Sequence, residues 1–396
     1  MKRRDFLRNS SLASSMIFVP SFVKAFEQFS TKKLGYKKLV IIQLSGGNDG
    51  LNTVIPFRND IYYKSRPTIA VNKQSVLKIN DKIGFHPSLK SLKNIYDKGY
   101  LSIINGVGYP NPNRSHFRST DIWHTASASN EYLSTGWLGR YIDAYGKMPY
   151  SGIELDDSLS LIMKGEHING IATKDPRVLF SNMQTPYFKK ILKYQTDEHL
   201  SEHNLGYLYK TMIEAESSAK YIFNTTKTYS SKLSYQSNAF AKQLKTTAQF
   251  INSGIESKVY YVSMGGFDTH AGQLNRQKNL LKVYGEAMET FINDLEQNDT
   301  FKDTLILTFS EFGRRVKQNA ANGTDHGAAN NVFVIGKNIN KAGVYNPLPD
   351  LNDLDNNGDL KYTVDFRNIY ATIIDKWLAV DHHSLLNKSF NTLDFI

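Results

Sequence analysis

Three apolar runs along the chain end abruptly in Gly, Asp, Glu or His. They cover residues 39–44, 259–262 and 305–309. Continuous β-branched and aromatic residues over this length are typical of strands buried on both faces, as in a parallel sheet. Ligands of open α/β sheets bind beyond the carboxyl ends of the strands. The carboxylates and imidazoles that follow these runs therefore indicate a metal or phosphate site.

Strands and helices alternate through the rest of the chain. Further strands are predicted at 101–104 and 332–335, and helices at 86–98, at 274–297 and ending near 380. Between 184 and 253 glycine is scarce, and apolar residues recur at alternating spacings of three and four, so we predict a helical insert, a candidate lid. The alternation predicts an α/β fold with a mostly parallel sheet and helices on both faces.

The N-terminus is typical of an export signal rather than of a folded element. Paired arginines precede Phe6-Leu7, a weakly apolar stretch covers 10–23, and small residues surround Ala25. We interpret residues 1–25 as a twin-arginine signal peptide, the alternative being a chance arginine pair before an apolar helix. The apolar stretch is too short and too rich in serine to span a bilayer. We expect a periplasmic or secreted protein that meets the twin-arginine export machinery, has no stable membrane span after cleavage and forms one domain over 26–396.

Composition narrows the chemistry. The 396-residue chain has no cysteine, which excludes disulfides, thiolate metal ligands and a cysteine nucleophile. The formal net charge is +11, of which residues 1–25, with five bases and one acid, carry +4 and the rest +7. A modest basic excess suits anionic substrates. No dense basic tract is present, so nucleic acid is not an expected partner.

The second and third apolar runs supply the first candidate ligands. Asp268 and His270 lie two apart on an extended stretch, so both side chains point to one side. A carboxylate and an imidazole at this spacing suit a metal ion; the alternative is a turn acid and a surface histidine. Glu311 ends a buried strand and needs a partner, either a metal or one of the nearby residues Arg314 and Arg315.

Two glycine-rich loops supply further candidates. Asp49 lies in a turn whose backbone N–H groups could face an anion, or it simply closes an Asn-Asp-Gly turn. The second loop carries the pair Asp325 and His326. His326 is the better candidate for a metal ligand, and Asp325 is either a ligand or a group that orients one. Their alternative role is to cap the loop.

Ser115 is the candidate nucleophile. A hydroxyl at a helix start feels the helix dipole and can be activated by a metal, although an N-cap is the commonest role of serine there. Arg114 suits anion binding. His116 and His86 are possible additional ligands or structural residues. Residues 353–359 resemble the start of a calcium loop, but Val364 stands where the twelfth-position Glu is needed, so we predict an acidic surface loop.

These segments together resemble the DUF1501 family of exported bacterial proteins, placed near the alkaline phosphatase and sulfatase superfamily. The matching pieces, besides the twin-arginine start, are 46–52, 86–87, 114–117, 136–140, 267–270, 310–314, 324–327 and 365–367. The resemblance implies a three-layer α/β/α sandwich with a two-metal site. It implies metal binding by Asp49, Asp268, His270, Glu311 and His326, with Ser115 as nucleophile.

The chain departs from the superfamily pattern in several places. Glu311-Phe312 stands where the superfamily usually has Asp-His, which removes one imidazole. Asp268 and His270 are closer together in the sequence than the corresponding Asp and His of the superfamily usually are. Ser115 is not followed by the x-Pro-x-Arg of sulfatases, so a formylglycine-type sulfatase is not expected. The oxygen-rich set leaves one or two ions open among Zn, Mn, Mg and Ca.

The leading hypothesis is a metal-dependent hydrolase of phosphate esters, and secondarily of sulfate esters, on a small anionic molecule or a glycan. The second is a non-catalytic envelope or glycan-binding protein that keeps the fold. A phosphoryl-transferring mutase is the third, and no sequence feature demands it.

Overall fold

The apolar run at 39–44 forms the centre of a nine-stranded sheet. The computed structural model describes residues 37–193 and 203–396, with backbone only for 193 and 203–208; the predicted signal 1–25 lies outside the described residues. Lys38–Ile396 forms one compact unit. The strands are β1 Lys38–Leu44, β2 Val54–Ile55, β3 Leu77–Lys78, β4 Gly84–Phe85, β5 Leu101–Gly108, β6 Gly152–Glu154, β7 Ile171–Ala172, β8 Val259–Met264, β9 Thr304–Phe309, β10 Asn330–Ile335, β11 Gly343–Val344 and β12 Val364–Asp365.

The main sheet is mostly parallel, as the sequence predicts. Its strand order is β11-β5-β10-β9-β1-β8-β6-β7, with β12 also paired to β5. Only β10 runs antiparallel to its neighbours β5 and β9 in this sheet. Because β1 pairs in parallel with β8 and β9, the carboxyl ends of the three longest apolar runs meet at one edge. Strands β2, β4 and β3 form a separate small antiparallel sheet.

Helices cover both faces of the main sheet. They are α1 Gly50–Thr53, α2 Asp60–Ser65, α3 Lys90–Asp97, α4 His116–Thr125, α5 Trp137–Tyr145, α6 Pro176–Met183, α7 Pro186–Lys193, α8 His203–Thr226, α9 Ala239–Asn252, α10 Gln273–Gln297, α11 Phe366–Thr372 and α12 His382–Leu386. Short 3-10 turns occur at Lys73–Ser75, Pro87–Leu89, Pro149–Ser151, Leu161–Met163 and Phe301–Asp303, and a π-helical turn at Ile373–Trp377 follows α11.

Alternate residues of β1 belong to two different cores, which makes the fold a three-layer α/β/α sandwich. Val40 and Ile42 pack with residues of α3, α9 and α10. Leu39 and Ile41 pack with residues of α4, α5 and α11. This alternation follows from the two-residue period of a strand. Burial on both faces explains why the run is apolar throughout.

The structure defines the limits of two predicted elements. The strand predicted at 101–104 continues to Gly108, because β10 and β12 pair with the backbone of its second half. The segment predicted as a helical insert at 184–253 contains α7, α8 and α9, which lie inside that range. Its last helix, α9, packs on α10 and carries buried residues such as Leu244 into the main core.

Among the described residues, no helix is both long and apolar enough to cross a membrane.

Candidate metal centre

Loops from several parts of the chain meet at the carboxyl edge of the sheet. Asp268 and His270 follow β8, Glu311 follows β9, and His326 lies in the loop before β10. His116 is the first residue of α4 and reaches the same place. The parallel pairing of β8, β1 and β9 explains why residues from such distant segments converge.

The centre of this cluster is a triangle of three side-chain atoms. The Nε2 atoms of His270 and His326 lie 2.9 Å apart. Oδ1 of Asp268 lies 3.1 Å from the first and 3.3 Å from the second. Four ligands placed tetrahedrally around zinc lie about 3.3 Å from one another, given zinc–nitrogen distances near 2.0–2.1 Å. The triangle therefore has edges close to those of a metal-ligand set.

His116 extends the triangle on the other carboxylate oxygen. Its Nε2 lies 3.5 Å from Oδ2 of Asp268. That nitrogen is buried and makes no hydrogen bond among the described residues. One ligand atom each of His116, Asp268 and His326 lies within 4.8 Å of the others. A buried ring nitrogen that faces a carboxylate without a hydrogen bond suits a metal ligand.

In each of the three histidines of the cluster, Nδ1 faces an acceptor. Nε2 is therefore the ring nitrogen that keeps a free lone pair. Nδ1 of His116 lies 2.9 Å from Oε1 of Glu311, and Nδ1 of His326 lies 2.7 Å from the carbonyl oxygen of Arg114. Nδ1 of His270 lies 3.5 Å from Oδ1 of Asp325. A histidine that donates Nδ1–H presents Nε2 to a metal, the usual arrangement around ligating histidines.

Arg314 fastens the loops that carry these residues. Its fully buried guanidinium donates to the carbonyl oxygens of Gly47 at 2.6 Å, Thr324 at 2.8 Å and Phe267 at 3.1 Å. It also donates to Oδ1 of Asp268 at 2.7 Å. One arginine thus ties the loops after β1, after β8 and before β10 to one another.

The glycine turn after β1 allows the close approach of the loop after β8. Gly46 has a φ of +117°, and a Cβ placed on it would lie 2.4 Å from the backbone nitrogen of Asp268. The Gly46 N–H donates to Oε1 of Glu311 at 2.7 Å. The turn therefore binds the anion of this chain's own glutamate.

Hydrogen bonds set the charges of the cluster. Burial alone would raise the pKa of Asp268, but the hydrogen bond and the positive charge of Arg314 outweigh it and lower the pKa to about 2. The hydrogen bond to Glu311 raises the pKa of His116, whereas burial lowers that of His326. Asp268 is therefore ionised at neutral pH, as a ligand must be.

The chain matches the family model described as a protein of unknown function, DUF1501, over residues 36–393. It belongs to the DUF1501 family. No curated protein sequence matches it.

Several solved structures are similar to this DUF1501 protein. The lipoteichoic acid synthase LtaP from Listeria monocytogenes gives a TM-score of 0.41 at 9% identity over 91% of this chain and 74% of that one. The PsFucS1 sulfatase from Pseudoalteromonas sp. gives 0.41 at 10% identity over 94% and 73%. The C-terminal periplasmic domain of EcEptC from Escherichia coli, in complex with Zn, gives 0.36 at 10% identity over 76% and 73%.

Asp49 of this DUF1501 protein lies outside the cluster. Its buried carboxylate pairs with Arg66 at 2.6 Å, accepts from the amides of Leu51 and Asn52 at the start of α1, and accepts from Gln273. The described residues contain two groups that could hold a metal, and Asp49 belongs to neither. Its carboxylate is thus already bound by a cation and three further donors.

Of the other residues predicted from the sequence, Ser115 is exposed, whereas Arg114 and the loop 353–359 are paired with each other. Ser115 is exposed at the N-cap position of α4, and its hydroxyl accepts no bond from the helix amides. Arg114 pairs with Asp359, through Nε at 2.6 Å, and with Asp355 at 3.3 Å. The predicted acidic surface loop is therefore partly buried, since Asp359 has no exposed surface.

Three residues take roles that sequence reasoning left open or missed. His116 joins the cluster, whereas His86 is buried and its Nδ1 accepts from the amide of Ser88. Glu311 binds His116, Gly46 and Gln43 rather than an arginine. The position of His116 directly after the candidate nucleophile at a helix start was the available signal.

The second group that could hold a metal is a structural cap of α12. It comprises Asp375, Asp381 and His382. Nδ1 of His382 lies 2.7 Å from Asp375, and its Nε2 accepts from the amide of Phe390. Both ring nitrogens are engaged, so we assign no ligand there.

Proposed function

We propose that this DUF1501 protein is a metal-dependent hydrolase of phosphate esters, and secondarily of sulfate esters. The observation that carries the proposal is the set of three histidine Nε2 atoms around the carboxylate of Asp268, each with Nδ1 held by an acceptor. The ester chemistry is supported by the motif resemblance and by the exposed hydroxyl of Ser115 beside His116.

The ion would be held by His116, His270, His326 and Asp268. Three imidazoles and one carboxylate suit zinc or another transition ion better than magnesium or calcium, which prefer oxygen ligands. When bound, such an ion polarises the ester oxygens and lowers the pKa of a neighbouring hydroxyl or water.

The protein's own residues prepare this chemistry. Glu311, Asp325 and the carbonyl of Arg114 hold the three rings with Nε2 towards Asp268. The start of α4 favours negative charge, because the N-cap Ser115 makes no side-chain hydrogen bond to it and the helix dipole is positive there. Ser115 occupies this start and is the proposed nucleophile towards phosphorus, with water as the alternative.

The cluster is exposed enough to admit a bulky substrate as well as a small one. The side chains of Asp268 and His270 are each 45% exposed. An open centre of this kind admits an anionic small molecule or an ester group on a glycan. The basic excess outside residues 1–25 favours either anion over a neutral substrate.

We further propose that the protein is exported by the twin-arginine machinery and works in the periplasm or outside the cell. The arginine pair at 3–4 supports this. Replacing both arginines by lysine should leave the full-length protein in the cytoplasm, as seen by cell fractionation. Unchanged export of that variant would contradict the proposal.

A non-catalytic envelope or glycan-binding protein is the second candidate. Phe117, next to His116, has 87% of its surface exposed. An aromatic ring in that position can stack on a sugar without any hydrolysis.

Metal analysis of the purified full-length chain tests the proposal. We expect at least one transition ion per wild-type chain, lost in His116→Ala and Asp268→Asn but kept in His167→Ala, which changes an exposed histidine outside the cluster. A screen of phosphate and sulfate esters follows. Wild-type protein that stays metal-free after incubation with zinc and manganese would eliminate the hydrolase. Metal-loaded protein that hydrolyses none of the esters would favour the binding protein.

A further inference from the structure

A basic pocket of about 630 Å³ lies away from the metal centre. It is formed where the start of α6, the end of α8 and one side of α9 meet. Of the side chains that line it, five are cationic and one is anionic. These six, which define the basic pocket, are Lys174, Arg177, Lys227, Lys242, Lys245 and Asp175.

Two of the five cations are neutralised by the protein itself. Arg177 pairs with Asp175 at 2.7 Å. Lys174 pairs with Asp156 at 3.0 Å and with Asp157 at 2.5 Å. The positive charge of the pocket therefore comes from the three remaining ammonium groups.

The other three ammonium groups have no carboxylate partner in the described part of the chain. Lys242 and Lys245 are exposed and stand three apart on α9, a spacing at which like charges repel. Nζ of Lys227 lies over the ring of Phe223, 3.8 Å from its centre, which orients the charge without cancelling it. Three uncompensated positive charges around one recess therefore favour the entry of an anion.

One side of the basic pocket lies at the same edge of the sheet as the metal centre, and its other side, at the end of α8, contacts the second half of α9 through Gln249. Lys174 follows the carboxyl end of β7, which is parallel to β6 and through it to β8. Two strand spacings, about 10 Å, separate β7 from β8. The start of α9 is held at this edge, because Nε2 of Gln243 donates to the carbonyl of Leu155 just after β6 at 2.6 Å.

We propose that the basic pocket binds phosphate or sulfate groups of a soluble polyanionic chain, such as a polysaccharide with several such groups. Lysines act as point charges and tolerate varied anion geometry, unlike paired arginines. A recess admits a chain, whereas the headgroup plane of a bilayer is flat. That the bound chain is also the substrate of the metal centre rests on the proposed function, and its anchoring here would leave one ester group at the cluster.

Binding of fluorescein-labelled dextran sulfate to the full-length protein tests the pocket. The variant is Lys242→Gln/Lys245→Gln. The control is Lys278→Gln/Lys282→Gln, which removes the same charge from exposed positions of α10. We expect the pocket variant to lose at least tenfold in affinity and the control less than twofold. Equal losses in the two variants would show an effect of net charge alone and overturn the proposal.

Two further probes distinguish the class of partner. Anionic phospholipid vesicles and a single-stranded DNA oligonucleotide are measured with the same variants. A loss of vesicle or DNA binding with unchanged dextran sulfate binding would overturn the proposal. Dextran sulfate binding requires no turnover, so its failure reports on the pocket alone, whereas the metal analysis reports on the hydrolase alone.

Discussion

Nδ1 of His116 lies 2.9 Å from Oε1 of Glu311, and these two residues are 195 positions apart in the chain. The carboxylate is nearly fully buried, and it also accepts from the amide of Gly46 at 2.7 Å. Glu311 thus orients the ring of His116 from behind and leaves Nε2 facing Asp268. The sequence predicts Glu311 as a metal ligand, and in the structure its carboxylate lies against His116 and the Gly46 amide.

Weakening that relationship should weaken metal binding. We expect Glu311→Gln to lower the affinity for zinc about 10- to 100-fold, the usual effect of losing a partner behind a ligating histidine. Competition with a chromogenic chelator measures this, with Glu286→Gln, a partly exposed residue of α10, as the control. Complete loss of the ion, as in Asp268→Asn, would instead make Glu311 a ligand.

The buried ion pair of Asp49 and Arg66 predicts a structural role for Asp49 rather than a metal-ligating one. Asp49→Asn leaves a buried guanidinium without its counter-charge, and we expect it to cost about 3–5 kcal/mol of unfolding free energy. The metal content of the folded variant should stay that of the wild type. Urea unfolding and elemental analysis check both statements. A folded variant without metal would return Asp49 to the ligand set.

The turn at Gly46 should tolerate no side chain. Gly46→Ala combines a strained φ with a Cβ that would lie 2.4 Å from the Asp268 nitrogen, so we expect it to cost about 3 kcal/mol or more. Gly99→Ala is the matched control, because Gly99 has a φ of +75° and nothing within 4 Å of the added Cβ. That control should cost about 1–2 kcal/mol, the conformational strain alone. Equal losses by urea unfolding would remove the argument from close approach.

Ser115 is expected to matter for turnover and not for metal binding. If it is the nucleophile, Ser115→Ala should lower kcat on a phosphate ester about 1,000-fold or more with unchanged metal content. Ser75→Ala, which changes an exposed serine in the 3-10 turn Lys73–Ser75, is the control. Full activity of Ser115→Ala would assign the attack to water.

Glu154 should make stability depend on pH. It is 3% exposed, and burial raises its pKa from 4.5 to about 7. The folded state therefore binds its proton more tightly than the unfolded state, so the stabilisation is full below pH 4.5 and is lost as pH rises through 7. At 1.36 kcal/mol per pKa unit this loss is about 3 kcal/mol. Urea unfolding from pH 4 to 8 should show it in the wild type and not in Glu154→Gln; identical pH profiles would contradict it.

Much of the fold could be predicted from local pattern. The strands at 39–44, 259–262 and 305–309 and the helix at 274–297 are present within two residues of the predicted limits. Long apolar runs and helical periods are properties of neighbouring residues, so the sequence displays them directly. The packing of the helices within 184–253 could not be predicted, because the helical periodicity of α8 and α9 does not show which element each helix packs against.

The sequence by itself determined the layered α/β fold, the family and the edge where the candidate chemistry gathers. Apolar runs that end in glycine and polar residues carry that information locally. Only the tertiary structure decided that Asp49 pairs with Arg66 while His116 faces Asp268. A carboxylate can bind a metal ion, pair with an arginine or accept a hydrogen bond from an amide. Which of these it meets depends on strand order and on loops that converge from distant parts of the chain.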